Sequence, residues 1–335
     1  MKDKILSIFK IVFFLGIGIF LIWLVVRNLT EEQKQQIIAA FKEANYAWVV
    51  LAILVGIVSN VSRAIRWKML LKPMGHSPKL SNTFMAIMIG YLANLAVPRL
   101  GEVSRCGILT KYEKIPFNQS FGTVITERII DMICLIVLFI ITFFVEHEKI
   151  YNYTIQTIVN PIRGKLSINT LLFSFILLVG FVLLVFIFRK KSKNSFLPKI
   201  RSIIKGFIEG VISIKNVEKP FWFVFHSVFI WFVYYLTVYI CFYCFKETAL
   251  LKASTAMVVL AFGSVAVIIT PGGIGAYPVI VTEVLSLFNI PVPIGFALGW
   301  IVWLSQTLEL IIIGLISLLL LPLINKEGAK PAPSV

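Results

Sequence analysis

Two groups of charged residues stand beside apolar stretches of this sequence. Glu102 and Arg105 form the first group, and Glu127, Arg128 and Asp131 form the second. Residues three or four positions apart share one face of a helix, so each group would present its charges together. If these stretches cross a bilayer, a charge at its centre costs about 2.5–3.5 kcal/mol and usually faces a partner or a polar cavity. Such groups could bind a polar headgroup or a proton.

The second group is not electrically balanced by itself. Its two carboxylates face a single arginine, which leaves one negative charge. Arg63, Arg66 or Arg105 could neutralise that charge from neighbouring helices. Two interpretations stay open: an interfacial network of salt bridges that fixes topology, or a polar cavity that contacts a headgroup or a proton.

Helix-breaking residues interrupt the apolar sequence at two points. Pro98 ends the apolar stretch at residues 80–97, shortly after Asn94. The second break consists of Pro271, Gly272, Gly273 and Gly275. Non-helical backbone survives at membrane depth only when it is buried in protein or faces water, and the free N–H groups of a half-helix form an anion site. The breaks therefore indicate either a phosphate-binding site or tight loops at the membrane surface.

The composition is that of an integral membrane protein. Of 335 residues, 59% are hydrophobic and 14% are charged, and the mean hydropathy is +0.92. The apolar residues form continuous runs without two-residue alternation, which favours helices over a barrel. The net charge of +16 comes from basic residues in short loops, so it indicates positive-inside topology and anionic lipids, and we expect no nucleic acid partner.

These runs predict an all-α polytopic membrane protein with about six full spans plus two broken, re-entrant helical hairpins. The hairpins are centred on Pro98 and Pro271. The first span is read as retained, because its apolar part is too long for a signal peptide. The predicted full spans are residues 5–26, 47–62, 120–145, 169–188, 221–245 and 293–321.

Three further segments are predicted to lie at the membrane surface. Residues 28–46 have the pattern of a short interfacial helix. The basic end of the second span, residues 63–68, should lie in the cytoplasmic headgroups, and residues 99–119 should form a polar loop. Residues 189–219 should form a basic amphipathic helix on the inner leaflet.

The distribution of basic residues also predicts an orientation. With both termini in the cytoplasm and both hairpins returning to the side they enter, the inner loops carry about three times as many lysines and arginines as the outer loops. Units 47–145 and 221–321 then have opposite orientation, which is the layout of an inverted repeat within a single membrane domain, residues 1–335. The counterparts of the first unit's charges in the second unit are Glu283, Gln306 and Glu309.

Catalytic chemistry has little support in the sequence. Cys241 and Cys244 have the CxxC form, but no second pair or histidine accompanies them, so a packing role is expected. No hydrolase, metalloprotease or nucleotide-binding motif is present. We expect no cofactor and no metal, and enzymatic activity remains an open alternative.

The charged groups and the breaks together resemble the flippase-like family built on the transmembrane region of lysylphosphatidylglycerol synthase. The resemblance runs from about residue 5 to 322. It rests on Arg63-Ala-Ile-Arg66-Trp67, on Asn94 with Pro98, Gly101-Glu102 and Arg105, on Glu127-Arg128 with Asp131, and on residues 271–275. It implies a protein of the cell membrane that moves or binds lipids, as the membrane part of the two-domain synthase looks like a flippase for aminoacylated phosphatidylglycerol.

This sequence departs from the family in two respects. It has no soluble catalytic domain of the kind that performs the aminoacylation, so synthase activity is not expected. Where an acidic residue would be expected after Gly275, it has Ala276-Tyr277-Pro278, and the nearest carboxylate is Glu283.

The leading functional hypothesis is a lipid translocator. Arg66, Arg105 and Arg128 would attract the phosphate of an anionic or aminoacylated phospholipid, or of a prenyl phosphate. Glu102, Glu127 and Asp131 would balance charge or engage an amine. The alternatives are a membrane-embedded transferase acting on a lipid-linked substrate and a non-catalytic scaffold for a lipid-modifying enzyme, such as a synthase or glycosyltransferase.

Overall fold

Every regular element in the described part of this computed structural model is helical. The described residues are 29–97, 99–149 and 217–325, with Phe20, Trp23, Val26 and Arg27. Their longer helices are α1 (Glu31–Glu43), α2 (Tyr46–Leu71), α3 (Leu80–Ala96), α4 (Leu100–Glu113), α5 (Phe117–Val145), α6 (Pro220–Cys241), α7 (Ala253–Ile269), α8 (Ala276–Ser286) and α9 (Val292–Ile324). Most of the predicted span 5–26, the span 169–188 and nearly all of the segment 189–219 lie outside the described residues.

Four of these helices are long and apolar enough to cross a membrane. They are Tyr46–Met74, which extends α2 by a 3₁₀ turn, Phe117–Val145, Pro220–Cys244 and Val292–Ile324. At 1.5 Å per residue each can cross a hydrocarbon core of about 30 Å. The all-α membrane fold is therefore confirmed.

The helix predicted within residues 28–46 is present as α1. Thr30 caps its first turn by accepting from the backbone N–H of Gln33, and the Gln33 side chain returns a bond to the backbone of Thr30. This reciprocal pair satisfies amide groups that a helix start leaves free. Asn45 then caps α2 by accepting from the backbone N–H of Ala47 at 3.1 Å.

The second span ends later than its hydropathy indicates. Helix α2 continues past residue 62 to Leu71, and Arg63, Arg66 and Trp67 are buried in the protein. That residues 63–68 lie at headgroup depth stays a prediction, but the two arginine side chains are enclosed by protein and are not free to contact lipid. The reason is that carboxylates on α5 neutralise them, which a hydropathy profile cannot detect.

Helices α3 and α4 fold back on each other as a hairpin. Near the tip, the side-chain oxygen of Asn94 accepts from the backbone N–H of Gly101 at 2.7 Å. At the open end, Asn82 donates to Glu113 at 2.5 Å. The polar loop predicted at residues 99–119 is instead mostly the helix α4, because one face of it buries Arg105, Cys106 and Leu109 against the hairpin.

Helices α7 and α8 are separated by a break where the sequence predicts one. A 3₁₀ turn spans Pro271–Gly273, and Gly272, Gly273 and Gly275 have φ values of 65°, 77° and 73°. Only glycine adopts such values without strain. The indole N–H of Trp303 on α9 donates to the carbonyl oxygen of Gly272 at 2.6 Å, so α9 holds the break in place.

The two breaks lie next to each other in space. A Cβ atom placed on Gly272 would stand 3.4 Å from the side chain of Leu95, near the end of α3. Helix α9 packs against both hairpins, with Gly314 against Leu92 of α3 and Gly299 against Pro278 of α8. Residues far apart in the sequence thus meet at one place in the bundle.

Candidate functional site

A cluster of five charged side chains is buried among helices α2, α4 and α5. We call it the buried ion cluster, and its members are Arg63, Arg66, Arg105, Glu127 and Asp131. All of its carboxylates and two of its arginines are joined by ion pairs of 2.5–3.4 Å. The third arginine lies 3.1 Å from a carboxylate oxygen. The sequence predicted that these residues could meet, and the structure brings all five together.

Arg63 links the two carboxylates of α5. Its Nη1 atom lies 2.5 Å from Glu127 and 2.7 Å from Asp131. Its Nη2 atom donates to the hydroxyl of Tyr234 on α6 at 3.0 Å. One guanidinium therefore ties α2 to both α5 and α6.

Arg66 lies one turn further along α2 and, like Arg63, forms hydrogen bonds with both α5 and α6. It donates from Nη2 to Asp131 at 2.8 Å and from Nη1 to the hydroxyl of Ser227 at 3.3 Å. Because Arg63 and Arg66 are three residues apart, they share the face of α2 that is turned to α5 and α6. Buried pairs of this kind are stable only when most of their hydrogen-bonding capacity is used.

Arg105 is held differently from the other two arginines. It is 3% exposed, and its guanidinium carbon lies 4.8 Å from the ring centre of Trp67. Its distance to Glu127 is that of an ion pair, yet within the described part of the chain all three of its side-chain nitrogens lack a hydrogen-bond acceptor. Buried polar groups are normally hydrogen-bonded, so this guanidinium has capacity for an anionic acceptor.

The charges of the buried ion cluster do not cancel. Three arginines against two carboxylates give a formal charge of +1. The sequence had indicated an excess negative charge for the α5 group alone, and the arginines of α2 and α4 reverse it. A buried positive charge is costly in a bilayer unless it is compensated, which favours a bound anion.

A narrow cleft, too tight for a water molecule in this conformation, lies beside Arg105 at the tip of the first hairpin. Glu102 and Arg128 form an ion pair of 3.0 Å in its wall, with side chains 22% and 44% exposed. The second oxygen of Glu102 is buried without a donor among the described residues. The cleft thus offers an unused acceptor, the second oxygen of Glu102, and unused donors on the guanidinium of Arg105. Its lining residues are Ile87, Gly90, Tyr91, Asn94, Gly101, Glu102, Arg105 and Arg128.

A larger cleft of about 470 Å³ opens between the C-terminal end of α2 and the start of α6. Its wall combines three lysines with apolar side chains: Lys68, Lys72 and Lys219 with Ile65, Met69, Leu80, Val217 and Trp222, beside Ser77, Glu218 and His226. His226 lies 2.8 Å from Ser62, and the next polar contact inward joins Ser227 to Arg66. Polar groups therefore continue from this cleft to the buried ion cluster.

The candidate residues of the second unit do not join the buried ion cluster. Glu283 is exposed on α8, and Gln306 is half-buried on α9. Glu309 is buried on α9 and accepts a hydrogen bond from Asn60 of α2 at 2.6 Å. The break at Gly272, Gly273 and Gly275 contributes backbone to the region where the hairpins meet, while Pro98 lies outside the described residues.

Several residues of the site were missed by the sequence reasoning. Trp67 stacks on Arg105 and donates to Thr123 at 2.8 Å, while Tyr234 and Asn60 each bond an ionisable side chain. Asn60 could have been found, because an amide within an apolar span calls for a polar partner. Tyr234 gave no such signal, since the surrounding sequence of α6 is rich in aromatic residues.

The membrane-spanning helices, the two interrupted helix pairs and the buried ion cluster define a polytopic α-helical membrane protein with a polar site in its interior. The chain belongs to the family described as the lysylphosphatidylglycerol synthase transmembrane region, whose model matches residues 8–314. This confirms the resemblance seen in the sequence.

Curated relatives support this family assignment. The UPF0104 membrane protein MJ1595 of Methanocaldococcus jannaschii is 27% identical over 88% of this chain and 91% of its own length. A second protein of that organism, UPF0104 membrane protein MJ1078, is 25% identical over 62% of this chain and 84% of its own length. The glycosyltransferase AglD of Haloferax volcanii is 28% identical over 29% of this chain but only 16% of its own length. No solved structure matches the chain.

Proposed function

We propose that this protein binds the headgroup of a phospholipid or prenyl phosphate at the buried ion cluster and moves that lipid between the leaflets of the cell membrane. The observation that carries the proposal is the unused hydrogen-bonding capacity of Arg105. This residue is buried in a cluster of formal charge +1, and its nitrogens have no acceptor among the described residues. A phosphate has the charge and the geometry that a guanidinium recognises.

The adjoining cleft supports a headgroup that carries an amine as well as a phosphate. The phosphate would lie at Arg105 and Arg128, and the amine at the free oxygen of Glu102. An aminoacylated phospholipid has both groups. Opening of the partly exposed Glu102–Arg128 pair would widen the cleft and admit the headgroup.

The path of the lipid follows from the larger cleft. Lys68 and Lys219 suit an anionic headgroup, while Lys72 pairs with Glu218, and the apolar wall suits acyl or prenyl chains. In the orientation that the basic loops favour, with both termini cytoplasmic, this cleft faces the inner leaflet. The polar contacts between α2 and α6 would then lead the headgroup inward to Arg66.

The two interrupted helix pairs would supply the alternating access. We propose that units 47–145 and 221–321 form an inverted repeat within a single membrane domain, with one re-entrant hairpin entered from each side of the membrane. The proximity of Leu95 and Gly272 supports this, since interrupted helices of such repeats meet near the bilayer midplane.

A leaflet-exchange measurement tests this function. The full chain is reconstituted into liposomes that contain headgroup-labelled phosphatidylglycerol, an aminoacylated phospholipid or a prenyl phosphate. We expect Arg105→Gln to slow exchange about tenfold or more, the effect of losing a charged hydrogen bond of about 1.5–3 kcal/mol. This variant should fold, because Arg63 and Arg66 still hold both carboxylates.

The matched control is Lys111→Gln, which removes an exposed charge from the same helix and should leave exchange unchanged. Equal exchange rates in wild-type protein, Arg105→Gln and protein-free liposomes would contradict the proposal. Covalent modification of the lipid in place of exchange would favour a membrane-embedded transferase.

A second candidate function is that of a membrane partner for a lipid-modifying enzyme. The match with part of a protein named as a glycosyltransferase favours it. In that case Arg105→Gln would leave exchange unaffected but would lower the yield of the partner enzyme's lipid product in cells.

A further inference from the structure

Glu309 is a buried carboxyl group that lies apart from the buried ion cluster. It lies midway along the membrane-spanning helix α9 and is 5% exposed. Its Oε1 atom accepts a hydrogen bond from the Asn60 side chain at 2.6 Å. Its other oxygen packs against Gly56, where any larger side chain would overlap it. The space for this carboxyl group is therefore made by two residues on one face of α2.

Glu309 has no compensating charge beside it in the part of the chain that the structure describes. Within the described ranges, no lysine, arginine or histidine nitrogen comes within 4.0 Å of it. Glu127, by contrast, is within 3.4 Å of three arginines. An isolated carboxylate at the centre of a bilayer is costly, whereas a neutral carboxyl bonded to an amide is not. Glu127 therefore lies in a setting that favours its ionised form, and Glu309 in one that favours its protonated form.

We propose that Glu309 is a proton-binding site that couples lipid movement to a proton gradient. The carboxyl is neutral while it packs against Gly56 and Asn60. Release of the proton leaves a carboxylate whose one stabilising contact among the described residues is the Asn60 amide, so we expect α9 and α2 to separate at this point or water to enter. The coupling role rests on the proposed function, whereas the proton-binding site itself does not.

The position of Glu309 connects it to both parts of the candidate site. On α2, Asn60 precedes Arg63 by one turn, so movement of this face displaces the buried ion cluster. On α9, Trp303 lies less than two turns before Glu309 and bonds the break at Gly272. A change in protonation would therefore act on the arginines and on the second hairpin together.

Within the described residues, none of the other titratable groups on the helices that pack against α9 forms an ion pair with Glu309. Arg63 is bonded to the carboxylates of α5 and to Tyr234 of α6. Cys241 of α6 faces Ser305, one turn before Glu309. Helix α3 carries Tyr91 and α8 carries Tyr277, and neither forms an ion pair or hydrogen bond with Glu309 in the described structure.

Labelling with dicyclohexylcarbodiimide tests the site directly, because this hydrophobic reagent reacts with protonated carboxyl groups in apolar surroundings. The full chain in detergent is labelled across a pH series, and the modified residues are mapped by mass spectrometry. We expect modification of Glu309 that declines to background as the pH rises, and none of Glu127. Glu309→Gln should abolish this signal, while Glu43→Gln, at an exposed position on α1, should leave it unchanged.

Glu309 that stays unlabelled at every pH, or is labelled equally at every pH, would overturn the proton site. Protection by sodium ions at constant pH would also overturn it, in favour of a metal cation.

The coupling role is tested in liposomes as the ratio of lipid exchange rates with and without a proton gradient. We expect a ratio above one for the wild-type protein and about one for Glu309→Gln. A ratio of one in the wild-type protein would overturn the coupling. Absence of any exchange together with pH-dependent labelling would overturn the proposed function and leave the proton site intact.

Discussion

At the scale of single residues, Arg63 and Arg105 illustrate two uses of a buried guanidinium. Arg63 has its charge and most of its donors used by two carboxylates and a tyrosine. Arg105 has a charge partner and an aromatic ring but no hydrogen-bond acceptor in the described structure. The first arrangement holds helices together, and the second leaves donors that a ligand could use.

Arg63→Gln should lower stability strongly. It removes the cation that bridges Glu127 and Asp131, and breaking a buried pair typically costs about 3–5 kcal/mol. The midpoint of thermal unfolding in detergent measures the effect. Arg128→Gln breaks a more exposed pair worth about 0–1 kcal/mol and serves as the control. Equal losses in the two variants would contradict the structural role given to Arg63.

At the scale of helices, the first hairpin depends on a close approach of two backbones. Gly101 of α4 lies against the carbonyl oxygen of Gly90 on α3, and a Cβ at Gly101 would collide with it. This contact brings Arg105, one turn further on, next to the cleft at the hairpin tip. The position of the candidate ligand group is therefore a consequence of helix packing.

Gly101→Ala should destabilise the hairpin by about 1–3 kcal/mol, the usual cost of overpacking. Gly107→Ala is a matched control on the same helix, because nothing lies within 4 Å of a Cβ placed there. Since alanine favours a helix by up to about 1 kcal/mol over glycine, this control should be neutral or slightly stabilising. Thermal unfolding again provides the measurement, and a larger loss at Gly107 than at Gly101 would refute the packing argument.

The break between α7 and α8 was predictable, because prolines and glycines end helices whatever surrounds them. The end of α2 was not, because Arg63 and Arg66 resemble a basic headgroup anchor until their partners on α5 are known. The extent of α4 to Glu113 was also missed, since its apolar face is short and interrupted by charges, although Glu102 and Arg105 had been placed on one helical face. Local chemistry thus predicts where helices are interrupted, whereas burial of charge depends on residues that are distant in the sequence.

At the scale of the whole molecule, the proposed inverted repeat places the open ends of the two hairpins on opposite sides of the membrane. The first open end is marked by Lys114, just after α4, and the second by Asn289, just after α8, and both residues are exposed. The four native cysteines are buried or half-buried. Single cysteines introduced at the two exposed positions can therefore report the topology.

A membrane-impermeant maleimide should label Asn289→Cys in intact cells and Lys114→Cys only after the membrane is permeabilised. This result follows from the inverted orientation of the two units. Labelling of both positions from the same side would exclude the inverted arrangement, although it would leave the buried ion cluster unchanged.

The most direct test of the central claim is native mass spectrometry of the purified full chain with its bound lipid. We predict that the wild-type protein retains one phosphate-bearing lipid through mild delipidation, and that Arg105→Gln loses it while Lys111→Gln keeps it. Retention of the same lipid by Arg105→Gln, or its absence from the wild-type protein, would contradict a phosphate site at the buried ion cluster.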